Sequence, residues 1–191
     1  MYAKEKVNVA ASSAFRLLHP MHTVLVSCIG KRGKPDIITL AWAMPASIKP
    51  PLLAVSISPR RHSHSLIQET KEFVVNIPTI DLLDQTEFCG TASGREYDKF
   101  KETGLTPETG EKVKPPLIRE CVANLECKLH SQFDAGDHTI FVGEIVDAHV
   151  VKEAFRGGYN LKKARMIFHL GGDRFATLAP RIFKPKRTNQ E

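Results

Sequence analysis

Two neighbouring segments, Ile37-Ile-Thr-Leu-Ala-Trp-Ala-Met44 and Leu52-Leu-Ala-Val-Ser-Ile-Ser58, alternate as strands do, each with one bulky face and one thin one. Ile38, Leu40, Trp42 and Met44 fall on one side of the first, and Ile37, Thr39, Ala41 and Ala43 on the other. In the second, Leu53, Val55 and Ile57 oppose Leu52, Ala54, Ser56 and Ser58. The bulky sides can build a core, and Trp42 groups with them by parity. The thin sides let a flat ligand approach the backbone, or else admit another strand or a dimer partner.

Further strands are expected at 22–29, 73–77, 121–133 and 138–151, and a turn-linked pair flanks Gly171-Gly-Asp173. The strand from Cys121 has apolar residues on one parity and Asn124, Glu126, Lys128, His130 and Gln132 on the other, which predicts a wet face. Ser65-Leu-Ile-Gln68 has capping-box spacing and predicts a helix from 65 to about 71. A second helix is expected over 80–88, and 103–116 reads as an exposed excursion. Many strands joined by short turns predict a mainly β fold, an antiparallel barrel with a few short helices. The whole chain, 1–191, reads as a single domain with an N-terminal arm at about 1–15 and a basic C-terminal tail at about 179–191.

Composition narrows the function. The formal net charge is +6, but the basic residues are spread along the chain without aromatic interleaving, so a nucleic-acid-binding barrel ranks last. Cysteines 28, 89, 121 and 127 make no C-x-x-C pair and sit among apolar neighbours, as reduced core thiols do. No apolar run nears the roughly 18 residues of a membrane span, and no signal-peptide core is present. The expectation is a cytoplasmic protein with no membrane partner.

The chemistry concentrates after Ser58. If a phosphate sits where strand 52–58 gives way to a helix, backbone N–H groups favour it, and Arg60, Arg61, Ser63 and His64 add charge and hydrogen bonds. The plain alternative is an Arg-rich surface loop beside a capped helix. A planar ring laid on Thr39, Leu40 and Ala41 could be read by main-chain groups, with Trp42 at its border. Ser93, Arg95 and Lys99, after a Gly-rich loop with no Walker or Rossmann pattern, could close over the ligand's polar edge, and His138 could touch it from a strand end. No histidine set has metal-ligand spacing and no G-x-S-x-G elbow is present, so neither a metal nor a protein nucleophile is expected.

In order, I-T-L-A-W-A at 38–43, K-P-P-L-L-A-V-S-I at 49–57, the P-R-R-H-S-H-S loop, F-V-V-N-I-P at 73–78 and C-G-T-A-S-G-R-E-Y-D-K-F at 89–100 resemble the flavin reductase-like family of FMN-binding split barrels, in its flavoredoxin branch. The resemblance implies a Greek-key split β-barrel that forms a homodimer with FMN near the interface. It implies that Thr39 to Trp42 border the isoalloxazine, that Ser56, Ile57 and Ser58 support the ring or ribityl chain, and that Arg60, Arg61, Ser63 and His64 take the phosphate. Lys99, His138 and Phe168 match positions that approach the flavin, the first two as stabilisers of the reduced ring. The implied activity is hydride transfer from NAD(P)H to flavin N5 and on to an acceptor; the alternative is an electron carrier reduced by a partner protein.

Overall fold

Residues 5–185 are described by a computed structural model. After a 3-10 helix, Ala11–Leu18, the chain runs through β1 (Met21–His22), β2 (Val24–Ile29), β3 (Pro35–Leu40), β4 (Ala43–Ser47), β5 (Leu52–Ile57), α1 (His62–Thr70) and β6 (Glu72–Ile77). A 3-10 turn, Ile80–Leu82, leads into α2 (Leu83–Thr91) and α3 (Lys99–Thr103), and the hairpin β7 (Pro107–Glu108) and β8 (Leu117–Ile118) follows. Two long strands, β9 (Ala123–Ala135) and β10 (His138–Val150), and a small hairpin, β11 (Phe168–Gly171) and β12 (Arg174–Ala176), complete it.

Seven strands form one antiparallel sheet in the order β3-β2-β6-β9-β10-β5-β4. Its two edges, β3 and β4, are consecutive in the chain and separated by Ala41 and Trp42 alone. Three Cα steps span at most about 11 Å, so the sheet must curl until its edges nearly meet. At this bend the Ser56 amide of β5 donates to the Trp42 carbonyl at 3.0 Å, which carries the β4–β5 pairing into the connection. The result is a split barrel, whose interior is filled by Val26, Ile38, Leu40, Val55, Ile57, Phe73, Val75 and Phe141.

The strand expected over 37–44 is therefore two strands, and the bend between them shifts the alternation by one residue. Ile38 and Leu40 face the core as read, but it is Ala43 that packs against that core after the bend. Trp42 and Met44, grouped with the bulky face by parity, are 39% and 63% exposed. The thin face of β3 is covered instead by helices: Ile37 joins a second apolar cluster with Leu25, Cys89, Phe100 and Cys121. At that contact the Thr39 hydroxyl donates to the Thr86 carbonyl of α2 at 2.5 Å.

Three other expectations shift. α1 opens at His62 rather than Ser65, because Arg61 is already extended and serves as N-cap; the Ser65 hydroxyl donates back to the His62 carbonyl. α2 runs on to Thr91 and absorbs the start of the Gly-rich loop. The 103–116 excursion folds back onto β9, so the face read as wet is dry at its start: Asn124 is buried and Glu126 is 0% exposed. The Glu126 carboxylate accepts from the backbone N–H groups of Glu111, Lys112 and Val113 at 2.7–2.9 Å and pairs with His149 Nε2 at 3.2 Å. All four cysteines are buried and unpaired. Of the arm and tail read from the sequence, residues 1–4 and 186–191 lie outside the described residues.

Candidate functional site

The bend that closes the barrel also opens a cleft. Between Thr39–Trp42 on one side and Ser56–Ser58 with Arg60 and Arg61 on the other lies a cavity of about 660 Å³, a size suited to a cofactor. His138 forms part of its rim, with its ring 4.9 Å from that of Trp42 and tilted by 39°. Phe15, from the N-terminal 3-10 helix, meets Trp42 edge-on at 5.9 Å. His138 Nδ1 pairs with Asp137 Oδ1 at 2.7 Å, which orients the imidazole. That bond and the imidazole's charge hold Asp137 below the usual carboxylate range.

On the β5 side, the Ser58 hydroxyl oxygen is sealed from solvent yet has no hydrogen-bond partner among the described residues. An unmet buried hydroxyl is unfavourable by roughly 1–3 kcal/mol, so such atoms tend to mark places where a ligand completes the wall.

A smaller pocket of about 130 Å³ continues from the cleft, sharing Ile38, Gly90, Arg60 and Arg61 with it and adding His62, Ser63, Ser93 and Arg95. The N-cap residue of α1, Arg61, makes no side-chain capping bond. The helix's first-turn amides and positive end therefore favour an anion, with the two arginines adding charge. Arg95 donates from its guanidinium to the Arg60 carbonyl at 3.2 Å, which fixes the shape of the loop. Burial pushes the His62 pKa down, and the Arg95, Lys34 and Lys99 charges add to that against the pull of Asp36.

Under this pocket lies a buried polar knot. Ser63 donates to Asp36 Oδ2 at 2.5 Å, and Lys99 Nζ sits 3.4 Å from Asp36 Oδ1 while bonding the carbonyls of Ile37 at 2.6 Å and Cys89 at 2.9 Å. The 3.4 Å contact is an ion pair without hydrogen-bond geometry, since Oδ1 has no donor of its own. Gly94 closes over this oxygen, and a Cβ there would stand 2.2 Å from it. Lys99 therefore shapes the site through Asp36 and the backbone; its ammonium is already engaged.

The structure thus brings Thr39, Leu40, Ala41, Trp42, Ser56, Ile57, Ser58, Arg60, Arg61 and His138 to one cleft, and Ser63, Ser93, Arg95 and Lys99 to its annex. Two residues are not brought there. His64 turns into the barrel, where Nε2 bonds the Thr139 hydroxyl at 2.9 Å and the ring meets Phe141, because α1 begins earlier than expected and rotates it inward. Burial lowers its pKa. Phe168 packs against His22 at 5.6 Å, and it is its neighbour His169, on the other face of β11, that lines the cleft. Phe15, His19, Gly90 and His169 are lining residues that sequence reading missed. Gly90 lies in the Gly-rich segment 89–95, whereas Phe15, His19 and His169 lie in no motif, and His169 is positioned by the distant pairing Met21↔His169.

Comparison with known proteins agrees with this geometry. The family model for the flavin reductase like domain matches residues 15–169, and the chain belongs to that family. An uncharacterised protein of Archaeoglobus fulgidus is 41% identical over 170 residues, covering 88% of this chain and 94% of the relative. A protein of the same organism named ferric-chelate reductase (NAD(P)H) is 34% identical over 107 residues, 56% of this chain and 62% of its own length. The structure of flavoredoxin from Desulfovibrio vulgaris (Miyazaki F) superposes with a TM-score of 0.84 at 27% identity, covering 97% of this chain and 99% of that one. Family and fold together assign a flavin-linked redox function.

Proposed function

We propose that the protein holds FMN in the cleft and works as an NAD(P)H-dependent flavin oxidoreductase. The observation that carries this reading is the unpartnered, solvent-sealed Ser58 hydroxyl in a cleft whose opposite wall is the backbone of Thr39–Trp42 and whose end is cationic. The residues fit the group. Arg60, Arg61 and the first turn of α1 would hold its phosphate, Ser56 and Ser58 its ribityl hydroxyls or ring edge, and Trp42 would border the ring plane. When bound, the flavin supplies the hydride-accepting and electron-donating chemistry that no side chain here provides. His138, held by Asp137, would set a positive or hydrogen-bonding edge at the rim, and Lys99 would keep the Asp36 carboxylate and the Ile37 and Cys89 backbone in place beneath the annex.

The name borne by the ferric-chelate reductase relative supports NAD(P)H as the reductant. Likeness to a flavoredoxin favours a second reading, in which the same bound FMN receives electrons from a partner protein. Four buried, unpaired thiols suit a reducing cytoplasm, and the apolar edge strand β4 suits a homodimer with the cleft near its interface.

An absorbance spectrum of the purified, FMN-reconstituted protein, followed anaerobically after adding NADH and then NADPH, tests these readings. Flavin bands that bleach with either nucleotide are expected. Bands that persist until a reductase is added transfer the function to the carrier reading, and failure to bind FMN overturns both.

A further inference from the structure

The cationic annex does not end at Ser93 and Arg95. A third cavity of about 370 Å³ shares His62, Gly94 and Arg95 with it and continues to Arg32 and Lys34 on the β2–β3 turn. This groove is built rather than incidental, because its two walls are tied together. The Lys31 amide donates to Glu69 Oε2 at 3.1 Å, and Gly30 lies so close to α1 that a Cβ would stand 2.8 Å from Leu66.

Charge in the groove exceeds what a flavin's single phosphate needs. Arg60 and Arg61 already serve the cleft, whereas Arg32, Lys34 and Arg95 bring three further positive charges against Glu69 alone. His62 stands where groove and annex meet; burial lowers its pKa, and Arg95 and Lys34 add to that against Asp36. A cationic path that begins at a mononucleotide site and runs on past it suits a ligand with a second phosphate group.

We propose that Arg32, Lys34, His62 and Arg95 form a second anion subsite, which takes a phosphate of an adenylate group lying beyond the flavin's own phosphate. The proposal rests on the flavin reading of the cleft. The same chemistry is offered by the adenylate of FAD and by the adenosine 2′-phosphate of NADPH. Guanidinium and ammonium groups spaced along a groove grip either by charge-assisted hydrogen bonds.

The test uses Arg32→Ala/Lys34→Ala, which touches neither the cleft nor its annex. Expected is an unchanged Kd for FMN together with one of two losses, each about tenfold. Weaker FAD binding identifies the FAD adenylate as occupant, and a raised KM for NADPH with that for NADH unmoved identifies the 2′-phosphate. If FAD affinity and the NADPH-to-NADH preference both stay within twofold of the parent, the proposal falls. A readout independent of turnover is the His62 titration followed by NMR while AMP or 2′,5′-ADP is added. The bound anion should raise its pKa by on the order of half a unit in the parent and not in the double variant. Because this shift is measurable without flavin, a protein that bound no FMN would overturn the flavin reading and still leave the subsite open to a yes or no.

Discussion

Ser58 and Lys99 are two polar residues at one site that should respond to substitution in opposite ways. The Ser58 oxygen has no partner among the described residues, so Ser58→Ala removes an unmet group from the free protein and a hydrogen bond from the complex. Folding stability should hold or rise slightly, while FMN binding weakens by about 1–1.5 kcal/mol, roughly tenfold. Trp42, the one tryptophan of the chain and part of the cleft wall, supplies the measurement through quenching of its fluorescence on titration with FMN. An unchanged midpoint would take Ser58 out of the binding wall. Lys99 is 4% exposed and joins Asp36 to two backbone carbonyls. Lys99→Met strands the Asp36 carboxylate, itself 2% exposed, and should destabilise the fold by about 3–5 kcal/mol in urea denaturation. A loss below 1 kcal/mol would mean that Asp36 does not depend on the ammonium. Ser63 belongs to the same knot through its bond to Asp36, so a change there should register in stability as well as in FMN affinity.

The segment between α3 and β9 shows at the element scale how one buried carboxylate organises a long connection. Burial opposes ionisation of Glu126, yet the N–H groups of Glu111, Lys112 and Val113 and the His149 ring outweigh it and hold the pKa below the usual carboxylate value. A carboxyl whose pKa is depressed by folding contributes stability above its unfolded pKa of about 4.3, and that contribution is lost as pH falls through the lower folded value. Amide-exchange protection over 107–118 should therefore persist at pH 5 and collapse in stronger acid before the barrel strands open. Glu126→Gln replaces one acceptor oxygen by a donor facing N–H groups, so it should loosen the segment already at neutral pH, by about 1–3 kcal/mol. Protection equal to that of the parent would show that Val113 and Leu117 hold the segment through apolar packing alone. Alternation made β5, β9 and β10 legible in the sequence, and β6 was legible as a short apolar run, Phe73-Val-Val-Asn-Ile77. Glu126 was not legible as buried, since parity assigns a face but cannot say that a distant loop covers it. His64 was read as a loop contact to the phosphate, but α1 already contains it and turns it to Thr139, and where a helix starts is poorly marked in a local pattern. The cleft walls at 39–42 and 56–61 were legible because small and cationic residues there are local in sequence, whereas Phe15 and His169 arrive through pairings that no local pattern encodes.

At the scale of the whole molecule, curling the sheet leaves β4 as an edge that pairs with β5 alone. A strand edge offers unpaired backbone groups, and Pro45 removes one donor from this one, as befits an edge that must not recruit strands freely. Its side chains nevertheless do not avoid association: Met44 is 63% exposed, and Ile48, just after the strand, is 88% exposed. Large apolar side chains held out in this way along an edge are costly to hydrate and favour a covering surface. Trp42 immediately precedes this strand and also walls the cleft, so whatever covers Met44 and Ile48 approaches the cleft's rim. The homodimer proposed above would meet this need with a self-complementary patch. The protein should then sediment as a dimer at micromolar concentration, and Met44→Glu/Ile48→Glu should sediment as a monomer, because four carboxylates would otherwise be buried at one interface. If the dimer also shields the cleft, the monomeric variant should release FMN faster, with a weaker Kd, even though it alters no lining residue. A monomeric parent would remove the interface altogether, and a monomeric variant that holds FMN as tightly as the parent would separate assembly from cofactor retention.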